Sequence, residues 1–204
     1  MSYTIDLIDT IDDTHTTIFE RAGQGSVILG WQGADEKDSL KVVGSSLDFT
    51  LVDPTNQDAF FLDLFTANEK RFRVHMFHTE TGATVWNGFV LPDQYGEPYT
   101  NQNTFVQFTA TDGLGRLKGK YLPDSFYDTE NSISDIFTAL LALTGLSLEL
   151  FFLPAIENSI EKDWQQIYIA GVSFTDNKKK INAHSILEQL MNDMVCCVYQ
   201  SDNG

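Results

Sequence analysis

Apolar and polar positions alternate with a period of two over much of the first 125 residues. Residues 3–8 alternate, 14–20 are rich in Thr and Ile, and 26–31 form a short apolar run between Gly23, Gly25 and Gly33. Leu47, Phe49 and Leu51 alternate with Asp48 and Thr50. Over 71–78, Phe72, Val74 and Met76 fall on one side of a strand and Arg73, His75 and Phe77 on the other. Trp86, Phe89 and Leu91 mark a strand that Pro92-Asp93 breaks, and Phe105, Gln107, Phe108 and Thr109 mark another that ends at Asp112-Gly113. Strands at this spacing, with turn residues between them, predict a small barrel or sandwich. Residues 60–65 fit a short helical turn or one more strand.

The period changes after Tyr121. Asn131-Ser132 is an N-cap signal, Asp135 suits the first turn, and Ile133, Ile136, Phe137, Leu140 and Leu141 form one helical stripe. Gly145 suits the position just past a helix, which predicts an end near Thr144. Asn182 announces a second helix carrying Ile186, Leu187, Leu190, Met191 and Met194. The connection over 153–180 is poorly patterned, and its Lys178-Lys179-Lys180 run predicts a solvated loop. Residues 195–200 read as a strand, and Asp202-Asn203-Gly204 as a hairpin turn whose returning strand lies beyond the sequence. The expected fold is therefore α+β and predominantly β. Residues 1–125 form the barrel or sandwich. Residues 126–204 form a mixed α/β domain with two helices, truncated at its C-terminal end as part of a longer protein.

Composition narrows the function classes. The 204 residues carry 29 Asp and Glu against 13 Lys and Arg, a formal net charge of -16. A nucleic-acid surface needs clustered cations to displace counterions, so sequence-specific DNA or RNA binding is not expected. Cys196 and Cys197 are adjacent, which puts their side chains on opposite faces of a strand and provides no disulfide framework. That usage fits folding in a reducing compartment. The apolar stretch 136–156 has the length of a membrane span. Gly145 and Pro154 interrupt it, however, and no Lys or Arg flanks it, so it reads as soluble core with no membrane span.

Chemistry-bearing motifs are sparse. His75 and His78 are three apart on a strand, hence on opposite faces, and unsuited to one metal. Asp9, Asp12 and Asp13 lack the spacing and glycine of a calcium loop. The Gly-rich 22–30 segment lacks the spacing of a dinucleotide fingerprint and the lysine of a P-loop. Asp112-Gly113-Leu114-Gly115 predicts a turn whose glycines take positive φ. Neither a catalytic site nor a cofactor is expected. Trp31, Trp86 and Trp164 could serve as stacking platforms for a sugar. Trp86 belongs to an alternating strand and reads as core, and Trp164, in a polar loop, is the better candidate for a ligand or partner contact. Phe89, three residues on, points to the opposite face, so both are buried only with cover on both sides or a bulge at Gly88.

The segments G-S-S-L-D-F-T-L (44–51), F-L-D-L-F-T (61–66), W-N-G-F-V-L-P-D-Q-Y-G-E-P-Y (86–99) and T-A-T-D-G-L-G-R-L-K (109–118), in this order, resemble tail hub or baseplate proteins of tailed phages and prophages of gut bacteria. The helices S-I-S-D-I-F-T-A-L-L-A-L-T-G-L and A-H-S-I-L-E-Q-L-M-N-D-M are similar to that family's continuation. The resemblance implies β-barrel domains that continue the tail tube, a closed homo-oligomeric ring (a trimer at full length), and tube and spike proteins as partners. It also implies location in the virion tail after folding in the host cytoplasm, and it brings no catalytic residues. In such a ring Asp6, Asp9 and Asp12 become candidate lumen-facing acids that repel DNA phosphates. Their spacing by threes does not put all of them on one strand face. The alternatives are a carbohydrate- or receptor-binding module at the tail tip, and a glycan hydrolase using paired carboxylates.

Overall fold

The computed structural model describes residues 2–18, 27–31, 42–53, 64, 68–91, 104–146, 168–176, 179–194 and 198–200. The chain divides into two compact units: Met1–Asp112 with Tyr199–Gly204, and Gly113–Val198. The division falls at a glycine with φ of 80°, ahead of the change of period after Tyr121.

The first unit holds β1 (Tyr3–Asp9), β2 (Thr14–Ile18), β3 (Val27–Trp31), β4 (Val42–Val43), β5 (Ser45–Asp53), β6 (Phe72–His78), β7 (Thr84–Val90) and β8 (Thr104–Thr111). Seven of these form one sheet in the order β2-β1-β6-β7-β8-β5-β3. Every neighbouring pair is antiparallel. The expected barrel or sandwich is thus corrected to a single sheet that no ladder closes among the described residues.

Alternation then sorts residues as the pattern requires. Ile5, Leu7, Leu47, Phe49, Leu51, Phe72, Val74, Met76, Trp86, Val90, Val106, Phe108 and Ala110 form one buried cluster, joined by Leu64 and Val85. Phe49 and Phe108, opposite each other on β5 and β8, stack at 5.6 Å between centroids. Trp86 and Phe89 are both buried, at 0% and 3% exposure, on opposite faces. A register shift between Met76 and Phe77 inserts Val85 into β7, so the bulge lies before Trp86 rather than at Gly88.

Trp86 sits at a buried polar knot. Its indole N–H donates to Ser45 Oγ at 2.8 Å, and the Ser45 hydroxyl donates to Asp112 Oδ2 at 2.7 Å. Asp112, fully buried, also accepts the Ser45 N–H at 2.6 Å, and its own N–H donates to the Ser45 carbonyl at 3.2 Å. The carboxylate is thus held by directed donors, which offsets the cost of removing its charge from water. The indole lies over Gly88. A Cβ there would meet Trp86 Cη2 at 2.1 Å and the Thr111 carbonyl oxygen at 2.5 Å.

The second unit begins with a 3-10 turn, Leu114–Gly119, followed by α1 (Asp124–Asp128), β9 (Glu130–Ser132) and α2 (Ile133–Ala142). It continues with β10 (Tyr168–Ala170), a second 3-10 turn (Gly171–Phe174), β11 (Thr175–Asp176), β12 (Lys179–Lys180) and α3 (Ala183–Asp193); β13 (Val198–Tyr199) follows. Ser132 caps α2 by accepting the Asp135 N–H at 3.0 Å, and Asn182 caps α3 by accepting that of Ser185 at 3.0 Å. The expected stripes are the buried faces: Ile133, Ile136, Phe137, Leu140 and Leu141 on α2, and Ile186, Leu187, Leu190 and Met191 on α3. Gly145, at φ 85°, closes α2 by donating its N–H to Ala142 O at 3.1 Å.

Two expectations change here. Lys179 and Lys180 form a short strand with β11 rather than a loop, and Lys180 Nζ pairs with Asp124 beneath the Tyr127 ring, 5.1 Å from its centroid. Of the 113–115 glycines only Gly113 takes positive φ. The apolar stretch beyond residue 146 and the adjacent cysteines lie outside the described residues, and of the expected strand over 195–200 the described part holds β13. Among the described residues no helix is long and apolar enough to cross a membrane.

Gly88→Ala should destabilise the first unit by about 1–3 kcal/mol, because neither the indole nor the Thr111 carbonyl can retreat without breaking the knot. Urea unfolding followed by Trp fluorescence measures it; an unchanged midpoint would contradict the packing described.

Candidate functional site

The outer face of β1, β6 and β7 gathers most of the titratable side chains that the first unit's described strands hold close together. Alternation along β6 turns Phe72, Val74 and Met76 inward and sends Arg73, His75 and Phe77 outward. Ladder pairing then sets Asp6 opposite His75 and Ile8 opposite Arg73 on one side, with Asn87 opposite His75 on the other. His75 Nε2 lies 3.1 Å from Thr84 Oγ1, and its ring packs against Phe77 at 5.1 Å between centroids.

Asp6, His75 and Thr84 are the residue types of a carboxylate, a base and a hydroxyl. Their geometry is not that of an activated nucleophile, because no hydrogen bond joins Asp6 to the imidazole. Asp6 Oδ1 and Arg73 Nε are buried atoms without a partner among the described residues. Such atoms carry an uncompensated desolvation cost. Burial first, then the Arg73 guanidinium and His15, holds the His75 imidazole below its ordinary pKa; Asp6 opposes them and does not prevail. What the cluster can do chemically is exchange a proton on a rigid sheet.

The three candidate acids do not form one surface. Asp6 is half-buried on the outer face, Asp9 is buried on the inner side of β1, and Asp12 is exposed in the turn that follows. Asp9 Oδ2 accepts Arg71 Nε at 3.0 Å and pairs with Nη2 at 2.9 Å, while Oδ1 accepts the Ile11 N–H at 2.9 Å. Burial raises the Asp9 pKa, but the Ile11 N–H and Arg71 together outweigh it and hold the carboxyl below its ordinary range. Asp9 thereby ties the end of β1 to the start of β6. Trp164 lies outside the described residues. His75 and His78 occupy opposite faces, and His78 packs on Tyr3 at 4.9 Å. Among the described residues no group of three or more His, Cys, Asp or Glu could hold a metal ion.

Sequence reasoning placed Arg73 and His75 together but missed Thr84 and Asn87, which join them only through the β6–β7 register. It also missed Ser45 and Asp112, 67 residues apart.

No protein-family model matches the chain, and no curated protein matches it. Among solved structures, the fold is similar to that of the 43 kDa tail protein of prophage MuSo2 from Shewanella oneidensis, at 11% identity and a TM-score of 0.49. The match covers 93% of this chain and 47% of that one, so the chain spans about half the length of that protein.

The His75 environment sets a pH dependence. A folded-state imidazole pKa below the ordinary 6.5 means that the unfolded chain takes up the proton more readily. The stability that neutral His75 contributes is whole above that value and is lost as pH falls below it. Melting temperatures between about pH 7.5 and 5.5 should fall more steeply for the wild type than for His75→Gln. Parallel profiles would contradict the cluster described.

Proposed function

We propose that the chain is a non-catalytic structural component of a phage tail, of the hub, baseplate or tail-tip kind, held in the virion by contacts with tube and spike proteins and with further copies of itself. One observation carries the reading. Three of the segments whose order resembles phage tail proteins, 44–51, 86–99 and 109–118, contribute Ser45, Trp86 with Gly88, and Asp112 to the same buried knot. What the resemblance shares is therefore the part of the chain that fixes the sheet, as expected of a component whose task is to hold a shape. The acidic balance supports it too, because a net charge of -16 disfavours retention of DNA passing nearby.

A receptor-binding role at the tail tip is the second reading, favoured by Trp31, which stands 45% exposed with its indole N–H tied to Gln200 O at 3.0 Å. An indole fixed at one end and open on a face is suited to stacking on a sugar ring.

Immunogold electron microscopy of particles from the host that carries the gene should put label on the tail. Absence of the protein from purified particles would overturn the proposal. Binding of the isolated protein on a glycan array, lost in Trp31→Ala, would shift the role to the receptor.

A further inference from the structure

Among the described residues, β3 is an outer strand of the sheet with no strand paired to its free side. Soluble sheets blunt their outer strands with charges, prolines or bulges, since an open row of N–H and C=O groups recruits other strands. β3 reads Val-Ile-Leu-Gly-Trp and carries none of these devices. Its inward residues are covered less well than their partners: Val27 and Leu29 are half-buried, whereas Phe49 and Leu47 opposite them are buried. Ile28 stands 59% exposed on the outer face.

The chain's own other edge cannot take that place. Six antiparallel steps separate β2 from β3, so the two strands run in the same direction. Parallel neighbours need a crossover of roughly a dozen residues or more. Only 19–26 connect β2 to β3.

β3 is, however, complementary to itself. Antiparallel pairing of two copies about Leu29 sets Leu29 against Leu29, Val27 against Trp31, and Ile28 against Gly30. Each pairing matches a bulky side chain with a smaller one or an equal. A Cβ built on Gly30 meets nothing within 4 Å, so the space that the partner's Ile28 would enter is open. Every ladder in this sheet is already antiparallel, and the new one would continue both faces without a break.

We propose that two copies of this chain join through β3, edge to edge, across a two-fold axis at Leu29. The pairing holds whether or not the chain belongs to a tail. It joins copies in twos and so excludes an odd-numbered ring made through this edge. Because each copy carries a net charge of -16, association strengthens with added salt.

Sedimentation equilibrium of the purified chain tests it. The expected result is a reversible monomer–dimer equilibrium that Ile28→Lys weakens by about tenfold or more, since the exposed side chain is replaced by an edge-blocking charge. Gly30→Ile should do the same by filling the open position. Phe105→Lys, at a residue 58% exposed on β8, should leave the equilibrium unchanged. Circular dichroism melts of all three variants should match the wild-type monomer, which separates loss of pairing from loss of fold. A monomer at every concentration and salt, an odd-numbered oligomer, or a dimer indifferent to Ile28→Lys and Gly30→Ile would overturn the proposal.

Discussion

A buried carboxylate must be satisfied from every side, and that requirement organises the first unit. Asp112 ends β8, Ser45 opens β5, and Trp86 reaches them from β7, so one set of hydrogen bonds fixes three strands at once. Each donor is itself committed: the Ser45 hydroxyl accepts from the indole while donating to the carboxylate. Removing the Ser45 hydroxyl would take from the buried indole N–H the acceptor it uses, which costs more than the lost bond itself. The indole can take this position only because position 88 has no Cβ. Packing and polar satisfaction at this knot therefore depend on a single glycine.

The two faces of the sheet divide labour. On the inner face, large aliphatic and aromatic side chains reach nearly complete burial, and the polar groups among them are paired. The outer face of β1, β6 and β7 is only partly reconciled, with Asp6 Oδ1 and Arg73 Nε lacking hydrogen-bond partners among the described residues and burial holding the His75 pKa below its ordinary value. A protein tolerates such a face where its ladder hydrogen bonds are strong enough to hold it. Here the Asp9–Arg71 pair reinforces the β1–β6 ladder from the inner side at its end.

Local rules made the elements legible. Alternation predicted β1, β5, β6, β7 and β8, a Thr- and Ile-rich run β2, a glycine-bounded apolar run β3, and the Ser132 and Asn182 caps α2 and α3, because each signal lies within a few residues of its effect. What escaped the sequence was everything set by register. The Val85 bulge, the meeting of Thr84 with His75, and the pairing of Ser45 with Asp112 arise from strand alignment, for which no neighbouring residue carries a mark. Lys179 and Lys180 misled for a related reason. Both side chains are exposed, as a basic run predicts, but the ladder with β11 makes the segment a strand, and Asp124 and the Tyr127 ring, distant in sequence, give Lys180 a partner. The acidic candidates diverged because Asp9 falls on an inward position of β1, where Arg71 neutralises it, while Asp6 falls on an outward one.

Charge and edge then take opposite parts in how the molecule meets others. Twenty-nine acidic side chains keep copies apart over most of the surface, and the repulsion is long-ranged at low salt. β3 holds none of them. A short uncharged strand on an otherwise acidic body is where close approach costs least, and backbone pairing acts only at contact distance. Short-range attraction at one edge against long-range repulsion elsewhere selects a single mode of contact. A sheet whose outer strands are β2 and β3, joined by a connection of only eight residues, is barred from pairing those two in parallel and is left with the β3 edge to offer.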